Sequence, residues 1–253
     1  MKVSIITVSC NNEDNLENTI KSVCNQDYPD IEYLFIDLES SVDTLALLEK
    51  YKGKIARVPS MPDQGMYDTL NKGIDLAKGE LIGILKPGSF YSNLHVITDV
   101  VKAIQAKEAN ACYGDLVYLN RGTLNKIGRY RKSCSYDSGR FRWDCIPEFS
   151  AFFIKKNCYS QFGKFNLNLA SAIEYELLLR LIYCHQIKVT YLPKSVIKIK
   201  VIKKKDVNFT RLLLENRERE KAWRINGLKP SQLNFKLNFL KRLSSTHKCE
   251  SFI

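Results

Sequence analysis

The sequence predicts an α/β protein: a mostly parallel sheet with helices on both faces, continued by a basic C-terminal extension. Short β-branched runs alternate with segments whose apolar residues recur at helical spacing, the pattern of strands joined by crossing helices. The early strands are apolar almost throughout, as in a sheet covered on both sides. Charge is unevenly spread. Of a net +12 over 253 residues, residues 1–189 hold 23 Lys and Arg against 22 Asp and Glu, and residues 190–253 hold 16 against 5. The chain therefore divides into an α/β unit over 1–189, with halves 1–94 and 95–189, and a basic stretch over 190–253.

The first strand covers residues 3–8, and Ser9-Cys10-Asn11-Asn12 opens a helix on which Leu16, Ile20 and Val23 share a face. Tyr28-Pro29-Asp30 breaks it, and a second strand over 31–36 ends on Asp37. A helix over 44–51 places Leu45, Leu48 and Tyr51 on one side, and 55–58 is a short third strand. The polar loop 59–65 leads to a helix marked by Tyr67, Leu70, Ile74 and Ala77, with Gly79 as its C-terminal stop. A strand over 81–85 follows, then a helix over 95–108 and a strand over 111–119. Beyond the arginine-rich segment 121–142 come a strand at 151–154 and an apolar helix at 173–183.

Composition excludes several classes. No apolar run approaches the ~18 residues of a membrane span, and the apolar start is too short for a secretory leader. Eight cysteines include no Cys-x-x-Cys pair and stand beside only three histidines, so a zinc site is not expected and reduced thiols are. No Gly-x-Gly-x-x-Gly follows the first strand, which disfavours a dinucleotide. Parallel sheets bind ligands beyond the carboxyl ends of their strands. Asn11, Asp37, Asp63 and Lys86 fall there and are expected to line one crevice.

Taken in order, several segments resemble the family 2 glycosyltransferases of the GT-A, Rossmann-like fold. They are Val3-Ser4-Ile5-Ile6-Thr7-Val8 with Asn11-Asn12, Ser22 to Pro29, Glu32 to Asp37, Pro62-Asp63-Gln64-Gly65-Met66-Tyr67-Asp68 with Asn71-Lys72-Gly73-Ile74, Tyr113-Gly114-Asp115, and Glu174 to Leu181. The resemblance implies inverting transfer of a sugar from a nucleotide-diphosphate donor to an acceptor hydroxyl. It makes residues 1–94 the donor half and 95–189 the acceptor half. It also implies that Asp37 meets the nucleobase, that Asp63 lies nearby, and that Glu174 takes the acceptor proton. Glu176 and Arg180, spaced i and i+4, read as a helix pair.

The chain departs from the family at the segment that usually supplies a metal-binding acidic pair. Here it reads Leu85-Lys86-Pro87-Gly88-Ser89-Phe90-Tyr91, without a carboxylate. Manganese or magnesium would be usual for the family, but oxygen ligands are what such cations require, so no metal ligand is assigned. The loop after Asp37 lacks the usual glycines, and Pro147-Glu148-Phe149 stands where a histidine–glutamine pair is common. Two readings follow. In one, Lys86 or an arginine among Arg129, Arg131, Arg140 and Arg142 supplies the missing positive charge, and transfer needs no metal. In the other, the chain is a catalytically silent relative serving as a binding or scaffold module.

Residues 195–205 alternate isoleucine and valine with lysine and read as an edge strand whose lysines block aggregation. The basic region suits an anionic membrane surface where lipid-linked or glycan acceptors are assembled, giving a cytoplasmic protein held peripherally at the membrane. Nucleic acid is not an expected partner, since the basic stretch carries no recognised motif and no set of stacking aromatics.

Overall fold

A computed structural model describes residues 1–9, 16–38, 41–58, 65–120, 127–133, 147–200 and 209–230. Among them a nine-stranded sheet runs in the order β3-β2-β1-β4-β8-β6-β9-β5, with β7 paired to β6. The strands are β1 (Val3–Ser9), β2 (Ile31–Asp37), β3 (Ala56–Val58), β4 (Leu81–Ile84), β5 (Ser89–Tyr91), β6 (Ala111–Leu119), β7 (Ile127–Arg131), β8 (Phe152–Lys155) and β9 (Val189–Lys200). Their helices are α1 (Leu16–Cys24), α2 (Val42–Lys50), α3 (Met66–Leu76), α4 (Val96–Lys107), α5 (Lys156–Phe162), α6 (Ile173–Leu178) and α7 (Phe209–Ile225).

Strands β3, β2, β1 and β4 are mutually parallel, and β8 reverses direction between β4 and β6. Every residue of β1 is buried, as its apolar run requires, and successive side chains enter opposite cores. Ile6 and Val8 pack with Leu34, Ile36, Leu70 and Ile74 on the side of α3, α5 and α6. Val3 and Ile5 pack with Ile20, Phe35, Val100 and Ile104 on the side of α1, α2 and α4.

Several elements differ from the sequence reading for identifiable reasons. Ser41 caps α2 by accepting a hydrogen bond from the Thr44 amide (3.1 Å), so the helix begins before residue 44. It buries Thr44 and Leu48, whereas Leu45 is 37% exposed. Gly79 is not a helix cap: α3 ends at Leu76, with Ala77 as the capping residue. The glycine is needed because a Cβ there would lie 2.5 Å from the Ser4 amide nitrogen, and its own amide donates to the Ser4 hydroxyl (2.8 Å). The apolar helix at 173–183 is α6 continued by a π-helical turn over Leu179–Cys184.

The lysine-bearing strand is not an edge. As β9 it lies between β6, to which it is parallel, and the short β5, with Val196 and Ile197 buried. A division at residue 189 therefore falls on the first residue of a sheet strand. Helix α7 also docks on the body, burying Ala222 and Trp223 and sending the Trp223 Nε1–H to the Tyr175 hydroxyl at 2.7 Å. Residues 201–205 and the segment beyond Pro230 lie outside the described residues. Among those described, Cys24, Cys112, Cys158 and Cys184 are free thiols, and burial pushes Cys112 up to about 12. No described helix is long and apolar enough to cross a membrane.

Candidate functional site

The carboxyl ends of β2, β1 and β4 form the floor of the site. Asp37 is the last residue of β2, stands opposite Ser9 and is only 2% exposed. Lys86 comes two residues after the end of β4. The Leu85 amide donates to the Ile6 carbonyl (3.0 Å), and the Thr7 hydroxyl donates to the Leu85 carbonyl (2.9 Å), which fixes the backbone leading to the lysine. Two strand spacings separate the Asp37 and Lys86 backbones, about 10 Å at the usual interstrand distance.

After Lys86 the chain turns sharply. The Ser89 amide donates to the Lys86 carbonyl (3.0 Å), with Pro87 and a left-handed Gly88 (φ 79°) between them. That is the residue pattern of a type II turn. The Gly88 amide also donates to the Thr19 hydroxyl (3.1 Å), pinning the turn to α1. The segment therefore points an ammonium, not a carboxylate, over the strand ends.

Opposite lies the start of α6. The Lys86 Nζ is 2.6 Å from Glu174 Oε1, and the two side chains are 34% and 21% exposed. The sequence predicted both residues separately, and the structure brings them together as an ion pair. Tyr67, in the first turn of α3, lies beside the Glu174 carboxylate; burial, then the negative charge of Glu174, raise its phenol well above the ordinary value. Glu148 adds a further negative charge near Tyr67, and its Oε2 lies 3.6 Å from Nη1 of Arg131 on β7. Two carboxylates thus lie near Tyr67, each with a cation of its own. Beside Lys86, a cavity of about 230 Å³ opens between Val8, Met66, Leu70, Ile84 and Pro87.

A second acid stands across the sheet. Counted through β8, Asp115 on β6 is level with Lys86. It is 2% exposed and accepts from the Tyr130 hydroxyl (2.5 Å), the Ser133 amide (2.7 Å) and the Tyr191 hydroxyl (2.8 Å). A bulge in β9 opposite Gly114 and Asp115 aims the carboxylate at these donors. Asp115 ties β7 and β9 to the sheet rather than presenting a free base. Glu176 is likewise structural: 1% exposed, it accepts from Arg180 Nε (2.8 Å) and from the Asn226 amide (3.0 Å).

Asn11, Asp63, Arg140 and Arg142 lie outside the described residues, and Arg129 sits on exposed β7. Sequence reasoning missed Tyr67, Glu148, Tyr130 and Tyr191 as members of this neighbourhood. Tyr67 was legible only as part of an apolar helical face, since its polar end emerges from the packing of α3 on α6. A divalent cation does not fit the described residues. Hard cations need several oxygen ligands, Lys86 places a positive charge at the strand end, and no three acidic, histidine or cysteine side chains among the described residues converge.

Comparison with known proteins identifies the family and the fold. Residues 4–174 match the model of glycosyl transferase family 2. An uncharacterized glycosyltransferase of Mycobacterium tuberculosis is 30% identical over 181 residues, 70% of this chain and 68% of its own. A Campylobacter jejuni protein named GalNAc(5)-diNAcBac-PP-undecaprenol beta-1,3-glucosyltransferase is 33% identical over 88 residues, 33% of this chain and 28% of its own. Among solved structures, Staphylococcus aureus TarS (residues 1–349) in complex with UDP-GlcNAc superposes with a TM-score of 0.63 at 16% identity, covering 89% of this chain and 70% of that one. The mannosyltransferase PcManGT of Pyrobaculum calidifontis, with GDP-Man and Mn2+, gives 0.64 at 14% identity, covering 94% and 68%.

Proposed function

Because this chain belongs to glycosyl transferase family 2, we propose that it moves a sugar, with inversion, from a nucleoside-diphosphate donor to a hydroxyl of a glycan or lipid-linked acceptor. The setting is surface polysaccharide or glycolipid synthesis. The observation that carries this reading is the convergence of Lys86 and Glu174 at 2.6 Å beside an open cavity at the strand ends. Glu174 accepts the acceptor proton as the hydroxyl oxygen attacks the anomeric carbon. The bond from that carbon to the diphosphate oxygen breaks on the opposite side, and Lys86 meets the developing negative charge. Asp37, Asn11 and Asp63 hold the nucleoside.

In this reading Lys86 replaces the divalent cation that the family would ordinarily use. A charge-assisted contact from an ammonium to phosphate oxygens is chemically suited to the task. The named acceptor of the C. jejuni relative supports a lipid-linked acceptor, and the nucleotide sugars bound by the two structural neighbours support the donor class. The charge of residues 190–253 supports contact with an anionic membrane from the cytoplasmic side. A second reading, a silent transferase acting as a binding module, is favoured by the same ion pair, since each catalytic group occupies the other.

Nucleoside-diphosphate release from UDP-, GDP- and dTDP-sugars, measured with lipid-linked and glycan acceptors, separates the two. Release that persists in EDTA and falls about 100-fold or more in Lys86→Ala, the scale of losing one charge-stabilising donor, supports transfer without metal. No release from any donor, or release that manganese restores after EDTA, contradicts it.

A further inference from the structure

We infer that Lys86 changes partners during turnover: it holds the Glu174 carboxylate until a nucleoside diphosphate arrives, then passes to the diphosphate and leaves the carboxylate to the acceptor. This rests on the donor reading above and adds an order of events to it.

Three observations carry the exchange. The pair is close, 2.6 Å, yet both side chains keep access to solvent at 34% and 21% exposure, so an incoming anion can reach the ammonium without unfolding anything. The lysine is the open side of the pair, whereas the Glu174 oxygen that faces it is buried. Lys86 is mobile in its stem only: its backbone is fixed by the Leu85 pairing and by the turn closed between the Ser89 amide and the Lys86 carbonyl. A lysine has three rotatable donors on a flexible chain and can swing between two acceptors, which a forked guanidinium does less readily.

Glu174 has a second partner that stays behind. The Tyr67 phenol lies beside the same carboxylate from α3 and can orient it once the lysine has gone. Arg131 is no substitute for Lys86, because its guanidinium faces Glu148 at 3.6 Å. The carboxylate is therefore occupied while the site is empty and free for the acceptor hydroxyl once the donor is seated, so the donor binds before the acceptor is engaged.

The test is calorimetric binding of UDP, GDP and dTDP to the full chain, its Glu174→Gln and Lys86→Gln variants, and the double variant. If the carboxylate competes for the lysine, Glu174→Gln tightens binding of the preferred diphosphate about fivefold or more, within the usual range of site coupling. Lys86→Gln weakens that binding, and adding Glu174→Gln on top of it changes nothing further. Unchanged or weaker binding in Glu174→Gln overturns the exchange. So does equal tightening with and without Lys86, which is what plain repulsion between the carboxylate and the diphosphate gives. If the unaltered chain binds none of the three nucleotides, the donor reading falls and the exchange falls with it. Binding without tightening removes the exchange alone.

Discussion

At the scale of single residues, three buried or half-buried acids show how neighbours decide a carboxylate's task. Glu176 is enclosed and held by Arg180, whose guanidinium also donates to the carbonyls of Phe162, Gly163 (2.9 Å) and Lys164 (2.6 Å). Removing one partner of a buried pair leaves an uncompensated charge and costs about 3–5 kcal/mol. Arg180→Met should lose stability on that scale in denaturant unfolding; a loss under about 1 kcal/mol, the worth of a surface pair, contradicts the assignment. Asp115 spends its oxygens on Tyr130, Tyr191 and Ser133, and its hydrogen bond raises the Tyr130 phenol to about 12. With a folded value above the ordinary 10, the Tyr130 contribution is complete below pH 10 and is lost as pH rises from 10 through about 12. Tyr130→Phe should flatten that alkaline decline in stability, as followed by unfolding between pH 9 and about 12. An identical slope in both proteins counts against the tether. Glu174 is paired instead with a lysine that lines a cavity and can leave.

At the scale of elements, the sequence was most legible where apolar periodicity and burial coincide. The strands at 3–8, 31–36 and 111–119 are found with nearly the expected bounds, because each fills both cores. The reading failed where a residue's reason lies in another element. Gly79 looks like a helix stop, but its missing side chain makes room for the Ser4 backbone. Gly79→Ala should therefore destabilise by about 1–3 kcal/mol, as forced overpacking does, instead of the stabilisation that replacing a flexible glycine brings where space allows; a raised melting temperature contradicts this. The lysine-flanked strand looks like an edge because its alternation is polar on one side. Nothing local in residues 189–200 announces that β6 and β5 enclose it.

At the scale of the molecule, topology does what no single segment states. The parallel order β2-β1-β4 sets Asp37 and Lys86 on one rim, and the reversal through β8 returns β6 at the same level with Asp115. Three of the five residues singled out from the sequence lie among those described, and Lys86 and Glu174 meet although 88 positions apart in the chain. Their partnership was not legible beforehand, since separate motifs carry them and only the packing of α6 over the strand ends joins them. Asp37 shares the floor but not the ion pair. The loss of acidic residues after β4 was plain in the sequence, whereas the turn that presents the lysine in their place required the fold.

The account stands on a sugar nucleotide being gripped by a rim whose cation is a lysine. Calorimetric titration of uridine, guanosine and thymidine diphosphate sugars into the full chain, with EDTA and then with manganese, measures this most directly. The account predicts that at least one of them binds in EDTA and that manganese does not tighten it. Binding that appears only when manganese is supplied, or no binding by any of the three, contradicts it.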